Sequence, residues 1–146
     1  MITEKKAMYI FDVLWSGMDY VQEHRQNCLN LYPQIEKQFI KHRLDFNALL
    51  EELIKYDGIG ITIATGLIWK AYPGSAVPFD KWTTTWCVVK KYIRSANISD
   101  DYKAISKQII KELKSRKKPI NVEQFVREAR VELEDGPLSK SLIFPS

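Results

Sequence analysis

Cysteine is scarce in this chain. Only Cys28 and Cys87 occur in 146 residues, neither in a C-x-x-C nor beside a histidine pair, which argues against a disulfide framework, structural zinc and an iron–sulfur cluster. Both are expected to be buried thiols in a reducing, cytoplasmic setting. Histidine is as rare: His24 and His42 lack ligand spacing, so no metal and no catalytic triad is implied, and no cofactor either. There is no G-x-S-x-G and no phosphate loop of the G-x-x-x-x-G-K-[ST] type. The longest weakly polar run, residues 58–69, is broken by threonines and ends at Lys70, short of the roughly 20 residues that a membrane span needs. It is expected to be a buried helix, with no membrane partner. The charged residues 1–6 lead into an amphipathic stretch with Asp12 and Asp19 rather than an apolar signal core, so no export is expected.

What is present suffices for one folded unit. The sequence is 45% hydrophobic and 12% aromatic, enough for a core in a single domain over residues 1–146. Repeats, low-complexity tracts and Gly-Ser linkers are missing. A net charge of +4 and a pI near 9.0 favour a polyanionic partner mildly. Apolar residues recur at three- and four-residue spacings, and nothing alternates with period two for long, which predicts an all-α, compact multi-helix domain.

The first helix is expected from Thr3, as N-cap, toward Asn27, with Met8, Phe11, Leu14, Trp15, Met18 and Val21 inward. A second follows Pro33 and carries Ile35, Phe39 and Ile40. Asp45 caps a third with Phe46, Leu49, Leu50, Leu53 and Ile54, and a very apolar helix runs from Ile61 to about Ala71. Residues 72–79 hold two prolines and a glycine and read as a loop, after which Asp80 caps a helix through about Arg94. Ser99 or Asp100 caps the next, which ends at a cationic stop, residues 114–119. Asn121 with Gln124 forms a capping-box pattern for a last helix that Gly136-Pro137 terminates, leaving a tail over 135–146.

The centre, about 46–71, reads as a helix-hairpin-helix. Gly58-Ile59-Gly60 puts two glycines around one apolar residue between two amphipathic helices. Glycine permits close approach, Ile59 plugs the gap, and the bare amides of Gly58, Ile59, Gly60, Ile61 and Thr62 at the start of the second helix point to a phosphate oxygen. Such contacts hold a duplex without reading its sequence. An ordinary tight turn between core helices is the simpler use of the same residues.

Together with Asp80, the hairpin resembles the helix-hairpin-helix DNA glycosylase superfamily, in which an L-x-G-[VI]-G-x-x-x-A hairpin is followed, after one helix and a proline-containing loop, by an aspartate. Here the matching positions are Gly58, Ile59, Gly60, Ala64 and Asp80, reached without insertion or deletion, and the likeness covers residues 53 to about 92. It implies a compact, divergent member of that superfamily bound to double-stranded DNA. It further implies that Asp80 stabilises the cationic sugar formed as a damaged or mismatched base departs and helps activate water. Asp80 is also a good N-cap, a role that needs no catalysis. In bifunctional members a lysine stands two residues beyond the second glycine, where this chain has Thr62, so the resemblance implies a monofunctional, water-using glycosylase. Departures include Tyr56-Asp57 for Leu-Pro, Lys81-Trp82 for Thr-His, and only 57 residues ahead of Gly58 to wall a base pocket. A non-catalytic DNA-binding or protein-interaction module that retains the hairpin is the alternative.

Lys81 and Trp82 are further candidates for DNA contact. Trp82 and Trp86, one turn apart near Lys81, Lys90, Lys91 and Arg94, can stack bases or pack the core. Lys111, Lys114, Arg116, Lys117 and Lys118 form the densest cationic group, either a solvated helix end or a phosphate-tracking patch.

Overall fold

Capping side chains set where several of the helices begin. The structure is a computed structural model and describes residues 1–15 and 21–146, with side chains described for 1–13 and 23–146. Thr3 Oγ1 accepts from the Lys6 amide at 3.2 Å and starts α1, Glu4–Trp15. The single helix expected from Thr3 to Asn27 is instead two: α2 spans Val21–Asn30 and packs against α1. Arg25 of α2 is ion-paired with Asp12 of α1, whereas thirteen residues of unbroken helix would hold them about 20 Å apart. Of the anticipated stripe, Phe11 is buried and Met8 half-buried, while Leu14, Trp15, Met18 and Val21 lie outside the described side chains.

Pro33 sits in the first turn of α3, Tyr32–His42, where its missing N–H costs nothing. Ile35 and Phe39 face the core, but Ile40 is exposed, because it lies one position past the inward face. Asp45 caps α4, Phe46–Leu53, by accepting from the Ala48 amide. α5 spans Ile61–Ala71, and residues 63–68 are buried around its whole circumference. That apolarity suits its place, packed against α1 and α4.

Asp80 caps α6, Lys81–Val89, which stops five residues before the expected Arg94. Lys91 adopts a left-handed conformation, φ 62°, and the Tyr92 amide closes on the Cys87 carbonyl at 2.9 Å, so the chain turns away. A short 3-10 turn, Ile98–Asp100, then precedes α7, Tyr102–Lys114. Its cap is Asp101 rather than Ser99 or Asp100, because the intervening 3-10 turn shifts the start by a residue. The Asn121–Gln124 box forms as expected, with reciprocal bonds of 2.8 and 2.9 Å at the start of α8, Val122–Glu134.

Among the described residues eight α-helices form one all-α body, and no strand occurs. α4 also meets α3 and α7, while α8 packs on α6 and α7. One apolar cluster joins α1 to α8. Cys28 and Cys87 lie within it as free thiols, both pushed above the ordinary thiol range by burial. The tail folds back: the Ile143 amide donates to Thr85 Oγ1 at 2.6 Å and the Ser146 amide to the Ala96 carbonyl at 2.8 Å. Among the described residues no helix is long and apolar enough to cross a membrane.

Candidate nucleic-acid interface

Between α4 and α5 the backbone descends through short-range bonds. The Tyr56 amide reaches Leu53 O at 3.2 Å, and the Ile59 amide reaches Tyr56 O at 3.1 Å. Gly58 follows in a left-handed conformation, φ 83°, which glycine adopts without steric cost. A second constraint acts there. His24, from α2, sits with Nε2 3.1 Å from Gly58 O, and its Cε1 would lie 2.8 Å from a Cβ added to Gly58. Ile59 is buried, the plug that the sequence predicted, so its amide is spent inside the turn rather than held for a ligand.

Gly60 is different. It is exposed and extended, φ −95° and ψ −172°, with open space where a Cβ would stand. No side chain caps α5, and the amides of Gly58, Gly60, Ile61 and Thr62 meet no acceptor among the described residues. These N–H groups carry the positive end of the α5 dipole. Acidic Asp57 is exposed beside them, and Lys55 is occupied by Glu52 at 2.9 Å. A cleft of about 430 Å³ opens here, lined by His24, Asn27, Asn30, Leu31, Asp57 and Gly58.

The second group of candidates starts α6. Asp80 Oδ1 accepts from the Thr83 amide at 2.8 Å and from its hydroxyl at 3.0 Å, while Thr83 Oγ1 accepts the Asp80 amide at 2.9 Å. This reciprocal box spends one carboxylate oxygen on the helix and leaves Oδ2 without a partner among the described residues. Lys81 Nζ lies 5.1 Å from the Trp82 ring centroid, both residues half-buried. Trp86, by contrast, is a core residue: it packs edge-on against Tyr92 and Phe125 and donates its Nε1–H to Glu132 at 2.6 Å. It is unable to stack a base.

Tertiary contacts bring the two groups near each other. The Phe79 amide donates to Thr65 Oγ1 at 2.9 Å, and that hydroxyl donates to Ile61 O at 2.8 Å. Two bonds thus link the residue before Asp80 to the first residue of α5. On the other side, the Tyr102 hydroxyl donates to Val77 O at 2.6 Å, and Ser106 Oγ accepts the Val77 amide at 3.2 Å. Tyr102 is fully buried, which raises its phenol well above the ordinary range. Residues 72–80 are therefore held from α5 and α7 at once.

No family model, curated protein or solved structure matches this chain. Its chemistry is read from its own residues. Two clefts stand out, the one at Gly58 and another of about 190 Å³ at Trp86, Glu132 and Leu138, and Asp80 lines neither. His24, Thr65, Tyr102 and Ser106 were missed by sequence reasoning, since each acts on a segment 14 to 34 residues away. Thr83 had a local signal in the Asp-x-x-Thr spacing.

Proposed function

We propose that this chain binds double-stranded DNA as a helix-hairpin-helix module, with the first turn of α5 against a phosphate. The observation that carries the reading is the uncapped start at Gly60: free amides aligned with a helix dipole, with no Cβ to bar an anion. Lys81 and Trp82, at the start of α6, supply a cation and an aromatic face. An aspartate at position 60 would bring its own carboxylate to those amides. Gly60→Asp is expected to weaken binding of a fluorescent duplex at least tenfold at low salt while the fold persists. Unchanged affinity would remove the turn from the interface.

One observation favours a second reading, base excision by a monofunctional DNA N-glycosylase. Thr83 occupies only Oδ1 of Asp80, so Oδ2 is free to face a developing cationic sugar. The cap, which already gives Asp80 a structural use, favours the non-catalytic module. Lesion-bearing duplexes incubated with wild type and with Asp80→Asn, then treated with alkali, separate the two. Strand breaks that need Asp80 establish the enzyme, and none across the panel leaves the module.

A further inference from the structure

Positive charge is concentrated in one stretch of this molecule. Residues 103–118 hold seven of the 22 Lys and Arg and one of the 18 Asp and Glu, so this stretch carries +6 and the rest of the chain −2. The α4–α5 turn offers backbone donors but no unpaired cationic side chain, with Asp57 exposed and Lys55 paired. Folding then sorts the cations. α7 turns Tyr102, Ser106, Ile109 and Leu113 inward and leaves Lys103, Lys107, Lys111 and Lys114 exposed at steps of four, four and three. Lys117 and Lys118 continue the exposed row beyond the helix.

The stretch's other charges are withdrawn from that row. Arg116 is gripped by Glu128 through two bonds of 3.0 Å, and half-buried Glu112 accepts from Gln108 at 2.9 Å. None of the six lysines is ion-paired among the described residues. From Lys103 to Lys114 the row runs about 16 Å at the usual helical rise. A helix dipole accounts for cations only in the last turn, which covers Lys111 and Lys114. Lys103 stands in the first turn, where a cation is disfavoured, so helix stability does not explain the row.

We propose that this lysine row tracks the phosphate backbone of a nucleic acid duplex. The proposal takes its partner class from the reading above but rests on a different surface. Lysine is a flexible point charge that neutralises phosphate without demanding a fixed geometry. A row with steps of about 6 Å meets strands presenting a charge every ~3.4 Å of duplex axis. An anionic membrane fits less well, because a surface-bound helix buries an apolar face in lipid. α7 spends its apolar face on the core, and none of the large exposed apolar side chains lies on it.

The test compares three proteins in duplex titrations: wild type, Lys103/Lys107/Lys111/Lys114→Gln, and a control, Lys5/Lys37/Lys41/Lys140→Gln, with the same net charge as the first variant. All eight side chains are exposed or chain-surface lysines, and circular dichroism checks that each protein is folded. The row variant should lose at least tenfold in affinity at low salt, and its log–log salt slope should flatten by about 3 to 4, while the control changes far less. Equal losses in both variants would overturn the proposal in favour of net charge alone, and no loss in the row variant would overturn it outright. Gly60→Asp, run beside them, reports on the turn separately: a row effect with intact Gly60→Asp binding upholds this proposal and sinks the other. Vesicles of phosphatidylserine and phosphatidylcholine form the last arm. If they bind the row more tightly than duplex does, lipid replaces nucleic acid as the partner.

Discussion

Gly60 and Asp80 lead into their helices from almost the same backbone, φ −95°, ψ −172° and φ −101°, ψ −174°. Their surroundings are opposite. At Asp80 the first-turn donor is answered from within by a reciprocal box with Thr83, and the preceding Phe79 is fully buried. At Gly60 no side chain among the described residues answers, and none of them fills the space above the glycine. A helix start offers its amides to the outside only where the residue ahead of it has no side chain to consume them. The aspartate that resembles a catalytic residue thus heads the closed end, and the open end belongs to a glycine.

Removing what holds the closed end should have the largest effect. Tyr102→Phe strips the hydroxyl from Val77 O in a buried setting and is expected to cost about 1–3 kcal/mol in chemical denaturation. The same group gives a pH signature. Burial raises the folded-state pKa of Tyr102 and of Cys87, so the unfolded chain releases these protons first. Stability is therefore full below the ordinary thiol and phenol values, about 8.5 and about 10, and declines as pH rises past them. Tyr32 and Tyr92 are raised by burial too, so Tyr102→Phe should remove its own share of the phenol decline and leave theirs; a denaturation midpoint as alkali-sensitive as wild type would contradict this.

At the open end, Gly58→Ala forces a left-handed alanine into contact with the His24 ring. A loss of about 1–2 kcal/mol in thermal or urea unfolding is expected. Asp80→Ala should cost about 1 kcal/mol by leaving the Thr83 amide uncapped, while Asp80→Asn should be close to neutral because an amide oxygen caps as well. The smallest change is Gly60→Ser, which fits the extended backbone and should stabilise by a few tenths of a kcal/mol. If Gly60→Ser cost as much as Asp80→Ala, the two starts would not differ in the way described.

Local patterns carried much of this fold. Asp45, Asp80 and the Asn121–Gln124 pair each announce a helix start within three or four residues, because a cap bonds only to its own first turn. The loop at residues 72–79 and the plug at Ile59 were equally visible. The break inside the expected 3–27 helix was not, for Arg25 meets Asp12 only once the chain has doubled back. α6 likewise ends early because Lys91 turns, a change that its β-branched neighbours do not signal.

The sequence by itself determined the all-helical class, the caps at Asp45, Asp80 and Asn121, and the glycine pair, since these depend on neighbours along the chain. Tertiary structure decided which of those features face solvent. His24 closes on Gly58 from 34 residues away, Thr65 and Tyr102 hold the segment before Asp80, and Glu128 removes Arg116 from a cationic row that Lys103 and Lys107 extend. Burial and charge pairing are properties of surfaces that meet in space, and spacing along a chain does not specify which surfaces meet.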